Sequence, residues 1–136
     1  LDLEGEGKPA TIQSVEAIHR WKTAALITAS CQAGALAGGA TLKESEVMCN
    51  FGQQIGLAFQ VIDDILDLVS SSEQLGKTPG KDARAQKATY PSVMGLEAAK
   101  AEAQKLVDTA LNELQSFGAR AQNLEGLARF VVDRTN

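Results

Sequence analysis

"FQVIDDILDL", residues 59–68, decides the fold class, because it places three aspartates within one of the most apolar segments of the chain. Apart from those aspartates the segment is mainly aliphatic and suits a buried helix. On a helix, positions i, i+3, i+4 and i+7 share a face. That face carries a polar set, which we call the aspartate stripe: Gln60, Asp63, Asp64 and Asp67.

The composition around this helix fits one globular, all-α domain. The chain has 136 residues, of which 44% are apolar and 22% charged, as expected for a folded domain of about this size. Alanine is abundant, prolines are few and no segment alternates as a strand does, which together favour helices. The net charge of −4 argues against nucleic-acid binding, which usually shows as a basic surface. No segment is apolar for the ~18 residues of a membrane span.

Periodicity and capping residues predict where the helices lie. The predicted elements are a helix from Ser14 to Leu36, a helix from a Thr41–Glu44 capping box to Val69, a short turn at Pro91, a helix from Leu96 to Ser116, and a last helix from Leu124 to Arg134 behind an Asn123 cap. Two consecutive glycines, 38 and 39, should stop the first helix. The polar segment 70–87 is too long for a mere connector and predicts a functional loop.

Three carboxylates on one face of a buried helix need partners. Without partners, the carboxylates would repel one another, and burial would raise their pKa values and favour the protonated, neutral form. An arginine or lysine from another helix would supply one kind of partner. Divalent cations would supply the other, and magnesium suits this role because it binds one or two carboxylates together with substrate phosphates. A solvated acidic face fits least well among such apolar neighbours, and the metal site is the interpretation we favour.

Basic residues make a phosphate ligand plausible beside such a metal. Lys22 and Thr23 sit together in "HRWKTAALI", within an otherwise apolar helix face. Four cations follow the aspartates in the 70–87 loop: Lys77, Lys81, Arg84 and Lys87. Each alone is better explained as a solvated surface charge. Together with a carboxylate-bound metal, they would neutralise a diphosphate.

At this point four segments resemble one known family, the trans-isoprenyl diphosphate synthases. "GLAFQVIDDILDL" resembles the family's second aspartate-rich motif, "IHRWKTAALI" its lysine–threonine motif and "LGKTPGKDARAQKATYPSVMGLE" the loop after the aspartates, while "LDLEGEGK" is similar to a mid-chain segment. The order is correct and the resemblance covers essentially the whole chain. The short-chain enzymes that make geranyl, farnesyl or geranylgeranyl diphosphate are the most similar type.

The resemblance implies an all-helical bundle around a deep central cavity. Two aspartate-rich motifs would face each other there and hold magnesium, or manganese, with an allylic diphosphate. The implied metal ligands are Asp63, Asp64 and Asp67, which with Lys22 are the implied catalytic residues. The implied substrate-binding residues are Lys22, Thr23, Phe59, Gln60, Lys77 and Lys87.

The family's first aspartate-rich motif has no counterpart in these 136 residues. The resemblance is therefore to the C-terminal half of such an enzyme, and we expect one all-α domain over residues 1–136 that is inactive alone and exposes apolar surface. Its expected partners are the N-terminal half, a second copy in a homodimer, isopentenyl diphosphate and an allylic diphosphate. The resemblance also implies a cytoplasmic location of bacterial type, with the plastid as the alternative.

The implied reaction is ionisation followed by condensation. Magnesium and lysine would stabilise the negative charge of the departing diphosphate, and the carbocation would add to isopentenyl diphosphate before a proton is lost. In the family the departing diphosphate is thought to take that proton, so we expect His19, the one histidine, to form a structural hydrogen bond. Two other functions remain open: a non-catalytic subunit of a heteromeric synthase and a terpene cyclase of the same fold.

Overall fold

The computed structural model describes residues 11–75 and 88–134, without the side chains of 71–75. The elements in chain order are α1 (Ile12–His19), a π-helical turn (Arg20–Ala24, hereafter the π turn), α2 (Ala25–Ala37), α3 (Leu42–Leu75), α4 (Tyr90–Met94), α5 (Leu96–Glu113), a 3-10 helix (Leu114–Ala121) and α6 (Gln122–Asp133). Within the described ranges every regular element is helical, which confirms the all-α prediction. Residues 76–87 of the predicted loop lie outside the described part.

The first predicted helix is interrupted by the π turn. Its N-cap is Thr11, with Ser14 completing a capping box, so the prediction of Ser14 as the cap was wrong. A π turn admits one extra residue and rotates the helix face that follows. The buried face therefore steps by four, five and four residues: Val15, His19, Ala24 and Thr28. A continuous helix had predicted a different apolar face, formed by Ile18, Trp21, Ala25, Ala29 and Leu36. That prediction was wrong, since Trp21 is 74% exposed.

The long helix α3 forms the centre of the molecule. Its capping box is confirmed, since the Thr41 amide donates to a Glu44 carboxylate oxygen at 2.9 Å and the Glu44 amide donates to the Thr41 hydroxyl at 3.3 Å. The helix continues six residues beyond the predicted end, to Leu75. Its most extensive contacts are with α5 and α2. Its main buried apolar side chains are Phe51, Ile55, Leu57, Val61, Ile62 and Ile65.

Two glycines of α3 allow the helix before it to approach closely. A Cβ added at Gly56 would lie 2.5 Å from the Ala24 Cα, and one added at Gly52 would lie 2.7 Å from the Thr28 Cα. Both contacts are with backbone atoms, which cannot rotate away as a side chain can. Gly56 therefore fixes the end of the π turn against α3, close to the residues that carry the lysine–threonine motif.

The C-terminal helices complete the core behind α3. Thr89 caps α4 through a capping box with Ser92, and α5 begins directly after Gly95. Helix α5 ends at Glu113, three residues before the predicted Ser116, and continues as the 3-10 helix. Gly118, with φ 54°, interrupts the helical backbone within that 3-10 helix. The predicted Asn123 cap was wrong, because α6 begins at Gln122 behind Ala121 and no side chain caps it.

Several large apolar side chains are exposed on this chain, as the sequence led us to expect. They cluster in the π turn, α2 and the start of α3, and again on α6: Trp21, Leu26, Leu36, Leu42, Leu127 and Phe130. Extended apolar surface of this kind commonly marks a contact with another segment or chain. Among the described helices, none is both long and apolar enough to cross a membrane.

Candidate functional site

The aspartate stripe lies near the C-terminal end of α3 and its members have different surroundings. Gln60, Asp63 and Asp64 are partly buried, whereas Asp67 is exposed. Asp63 and Asp64 also bind different neighbours. One contacts the end of α6, and the other contacts α1 and α4.

Asp64 joins three separate segments through one oxygen atom. Its Oδ2 lies 2.8 Å from His19 Nε2 and accepts a second bond, at 3.0 Å, from the backbone N–H of Tyr90. The side chains of Asp64 and His19 are only 14% and 9% exposed. The structural hydrogen bond expected for His19 is therefore confirmed, and Asp64 is its acceptor.

The rings of His19 and Tyr90 stack on each other beside this contact. Their centroids are 5.7 Å apart and their planes differ by 12°. Burial, with a smaller contribution from the Glu16 carboxylate, raises the pKa of the Tyr90 hydroxyl above its ordinary value. The Tyr90 side chain is therefore neutral in the physiological range and acts here as an apolar surface for the imidazole.

Asp63 is paired with an arginine. Arg134 donates from one Nη to Asp63 Oδ1 at 2.9 Å, and its guanidinium lies 4.6 Å from the centroid of the Phe59 ring. The two charged side chains are 28% and 37% exposed. The sequence had left an ion pair and a metal as alternative partners for these aspartates, and Asp63 has the ion pair in this structure.

The lysine–threonine motif lies in the π turn. Lys22 is exposed and Thr23 is partly buried, and the π turn packs along α3. His19 immediately precedes this turn and Ala24 ends it. The contact of His19 with Asp64 and that of Ala24 with Gly56 therefore fix the motif at both ends. π turns recur at functional sites because the extra residue alters which side chains share a face.

Not all of the predicted site is brought together. No group of three His, Cys, Asp or Glu side chains converges on a common point among the described residues. Lys77 and Lys87 lie outside the described ranges. A surface cleft of about 360 Å³ lies between α5 and α6, remote in sequence from the stripe; it is lined by Asp108, Leu111, Asn112, Gln115, Glu125 and Arg129. It contains none of the predicted site residues.

Two residues of the site were not singled out from the sequence. Arg134 stood only as the predicted end of the last helix, and its contact with Asp63 spans 71 residues. Tyr90 contributes its backbone N–H, which no side-chain pattern can indicate. The lone histidine one turn before a lysine–threonine pair was the one available signal for the Asp64 contact.

Comparison with known proteins finds one family model and several similar prenyl diphosphate synthases. Residues 1–124 match the family model described as polyprenyl synthetase. The chain is 44% identical to a geranylgeranyl diphosphate synthase of Cyanophora paradoxa, over 100% of this chain and 46% of that protein. It is 41% identical to the farnesyl diphosphate synthase of Escherichia coli, over 98% of this chain and 46% of that protein.

A solved structure shares the fold. The geranyltransferase of Helicobacter pylori, in complex with magnesium and isoprenyl diphosphate, superposes with a TM-score of 0.71 at 30% identity, over 98% of this chain and 44% of that one. The chain thus spans less than half the length of each of these proteins. The helical architecture and the extent of the family match lead to one conclusion: the chain belongs to the polyprenyl synthetase family.

Proposed function

We propose that a protein of the relatives' length carrying this chain is a trans-prenyltransferase. It would join isopentenyl diphosphate to an allylic diphosphate and form geranyl, farnesyl or geranylgeranyl diphosphate. The observation that carries the proposal is the family match over residues 1–124, which includes both the aspartate stripe and the lysine–threonine motif. The relatives named above are synthases of farnesyl and geranylgeranyl diphosphate.

The residues at the exposed side of the stripe fit magnesium. Asp63 and Asp67 are oxygen donors one helical turn apart and both are accessible to solvent, and magnesium in proteins commonly uses one or two carboxylates. Asp63 already binds a cationic group, the Arg134 guanidinium, so its carboxylate faces a position where positive charge is favourable. Manganese, which also prefers oxygen ligands, would fit the same donors. The H. pylori relative was solved with magnesium.

When bound, the metal would stabilise negative charge on the departing diphosphate. The protein's own part is to bind and orient that diphosphate. Lys22 would contact its oxygens as a fixed positive charge and Thr23 would donate a hydrogen bond. Lys77 and Lys87 are proposed for the same role on sequence grounds. Phe59 and Gln60 would line the site beside the aspartates.

Asp63 and Asp67 are our first choice as ligands. The sequence also predicts Asp64, but its Oδ2 already accepts two hydrogen bonds. The pairing of two copies and the cytoplasmic or plastid location remain predictions.

Product analysis tests the function directly. A protein of full family length is incubated with labelled isopentenyl diphosphate, magnesium and, in turn, dimethylallyl, geranyl and farnesyl diphosphate. A linear prenyl diphosphate supports the proposal and its chain length identifies the product. Turnover only after addition of a second, catalytic chain would instead indicate a non-catalytic subunit, and a cyclic hydrocarbon would indicate a terpene cyclase.

A second assay uses residues 1–136 alone, for which we expect no turnover. The sequence contains one DDxxD motif, and a metal held from one side would leave the departing diphosphate poorly stabilised. Each ~1.4 kcal/mol of lost stabilisation slows the reaction tenfold. Robust turnover by these residues alone would contradict the two-motif mechanism.

A further inference from the structure

The contact between His19 and Asp64 has a consequence for the neighbouring phosphate-binding motif. His19 is the last residue of α1, and the π turn that carries Lys22 and Thr23 starts at the next residue. Any movement of His19 would therefore be transmitted to the start of the turn. The other end of the turn is fixed by the backbone contact between Ala24 and Gly56.

The hydrogen-bonding state of the histidine can be deduced from its surroundings. A carboxylate oxygen accepts hydrogen bonds, so Nε2 must donate to Asp64. His19 Nδ1 is buried and has no partner among the described residues. His19 is thus joined to Asp64 through Nε2, and its other ring nitrogen makes no hydrogen bond within the described ranges.

The same oxygen fixes a third segment. The Tyr90 N–H that bonds to Asp64 Oδ2 belongs to the first turn of α4, where amide groups have no partner within the helix. Tyr90 also stacks on the His19 ring. One carboxylate oxygen therefore satisfies two donors that come from residues 45 and 26 positions away along the chain.

We propose that His19 is a positioning residue for diphosphate binding: through Asp64 Oδ2 it fixes the π turn so that Lys22 and Thr23 are held in their binding geometry. Asp64 then serves as the anchor of this contact, while the metal is left to Asp63 and Asp67. This inference rests on the proposed function, because the diphosphate is the ligand that the proposed reaction requires. It assigns no catalytic step to the imidazole.

Substitutions at His19 separate the two ring nitrogens. His19→Gln places an amide N–H near the position of Nε2 and can still donate to Asp64. His19→Asn places its amide near Nδ1, where the structure has no partner for it. His19→Ala removes both. We expect Gln to retain the function of the contact, and Asn to resemble Ala although it is polar and hydrogen-bonding.

The test uses the full-length protein, with inorganic diphosphate plus magnesium as the binding probe in calorimetry and the allylic diphosphate as substrate. In His19→Ala and His19→Asn we expect diphosphate affinity to fall, and the KM for the allylic substrate to rise, by about tenfold, less than the ~10²-fold that a 1 Å misplacement can cost. His19→Gln should restore both to within about threefold of the parent protein. A purely structural role would lower the melting temperature but leave affinity and KM of the folded protein unchanged, and that result would overturn the proposal.

Asp64→Asn and Asp63→Asn provide the matched pair. An asparagine oxygen at position 64 can accept both hydrogen bonds, so the affinity of Asp64→Asn for diphosphate should fall less than tenfold. Asp63→Asn removes charge from a proposed ligand, and its turnover should fall more than a hundredfold. An equal loss of magnesium-dependent diphosphate binding in the two variants would overturn the assignment of Asp64. These two variants and His19→Gln keep the test valid if His19→Ala does not fold. If the parent protein itself shows no prenyl transfer, the proposed function fails, independently of the result for His19.

Discussion

Asp63 and Asp64 are adjacent in sequence, yet the two sides of α3 use them differently. On the α1 and α4 side, Asp64 is largely buried and its partners are an imidazole and a backbone N–H. On the α6 side, Asp63 is partly exposed and its partner is the side chain of Arg134. The first arrangement belongs to the core and the second lies at its edge.

The difference follows from the donors. A backbone N–H in the first turn of α4 cannot leave Asp64 unless that turn moves. A partly exposed arginine side chain can rotate away at little cost, since such ion pairs contribute at most about 1 kcal/mol. A carboxylate of the first kind stabilises the fold, whereas one of the second kind can exchange its partner for a metal. Neighbouring aspartates in one motif can therefore have different roles.

The largest expected effect is that of Asp63→Ala on catalysis. Loss of a proposed metal ligand in the full-length protein should lower turnover by about 10²–10³-fold, the usual cost of removing one electrostatic stabiliser. The melting temperature should change little because the lost ion pair is partly exposed. Steady-state kinetics and thermal unfolding of the same preparation provide the measurement. Glu46→Ala, an exposed carboxylate at the other end of α3, is the control, and parallel losses of activity and stability in Asp63→Ala would favour a purely structural ion pair.

Asp64→Ala, unlike Asp63→Ala, should clearly lower the stability of the fold. It leaves two donors, the His19 Nε2–H and the Tyr90 N–H, without an acceptor, at about 1–3 kcal/mol each. We expect the free energy of unfolding to fall by about 2–4 kcal/mol, measured by urea denaturation. The exposed Asp67, replaced by Ala, should change it by less than about 0.5 kcal/mol. Similar stability of Asp64→Ala and Asp67→Ala would contradict the structural role assigned to Asp64.

The close packing of α3 against the π turn can be tested at Gly56. A Cβ there would meet the Ala24 backbone at 2.5 Å, so Gly56→Ala should force α3 and the π turn apart and destabilise the protein by about 1–3 kcal/mol. Gly126→Ala on α6 is the matched control, because an added Cβ has no heavy atom within 4 Å and alanine favours a helix by about 0.5–1 kcal/mol. In thermal unfolding we expect Gly56→Ala to lower the melting temperature and Gly126→Ala to raise it. A stabilising effect at Gly56 would mean that the helices separate without cost.

The smallest effect concerns Arg134. If its guanidinium and the metal compete for Asp63, Arg134→Ala should lower the half-saturating magnesium concentration by about two- to fivefold, as expected for an ion pair of ~0.5–1 kcal/mol. Arg134→Lys keeps a competing positive charge and should lie nearer to the parent protein. Calorimetry with magnesium and inorganic diphosphate provides the measurement. A higher magnesium requirement in Arg134→Ala would show instead that the arginine assists binding.

Much of the site could be read from local patterns. The spacing of residues 60, 63, 64 and 67 was sufficient for a polar stripe on an apolar helix, and the Thr41–Glu44 box located the start of that helix. Both depend on interactions within one or two helical turns. The π turn could not be predicted in this way, since its extra residue is accommodated where the turn and α2 pack against two glycines of α3. As a result, the buried residues His19 and Ala24 are five positions apart instead of the usual three or four.

The sequence by itself determined the all-α class, the stripe of carboxylates and the lysine–threonine motif that lies near it, because helical periodicity and side-chain chemistry are local properties. Only the tertiary structure decided the partners of each carboxylate. Arg134 reaches Asp63 across 71 residues, and His19 reaches Asp64 across 45. Hydrogen bonds and ion pairs act over about 3 Å, and no local pattern specifies which distant residues the packing of helices will bring within that distance.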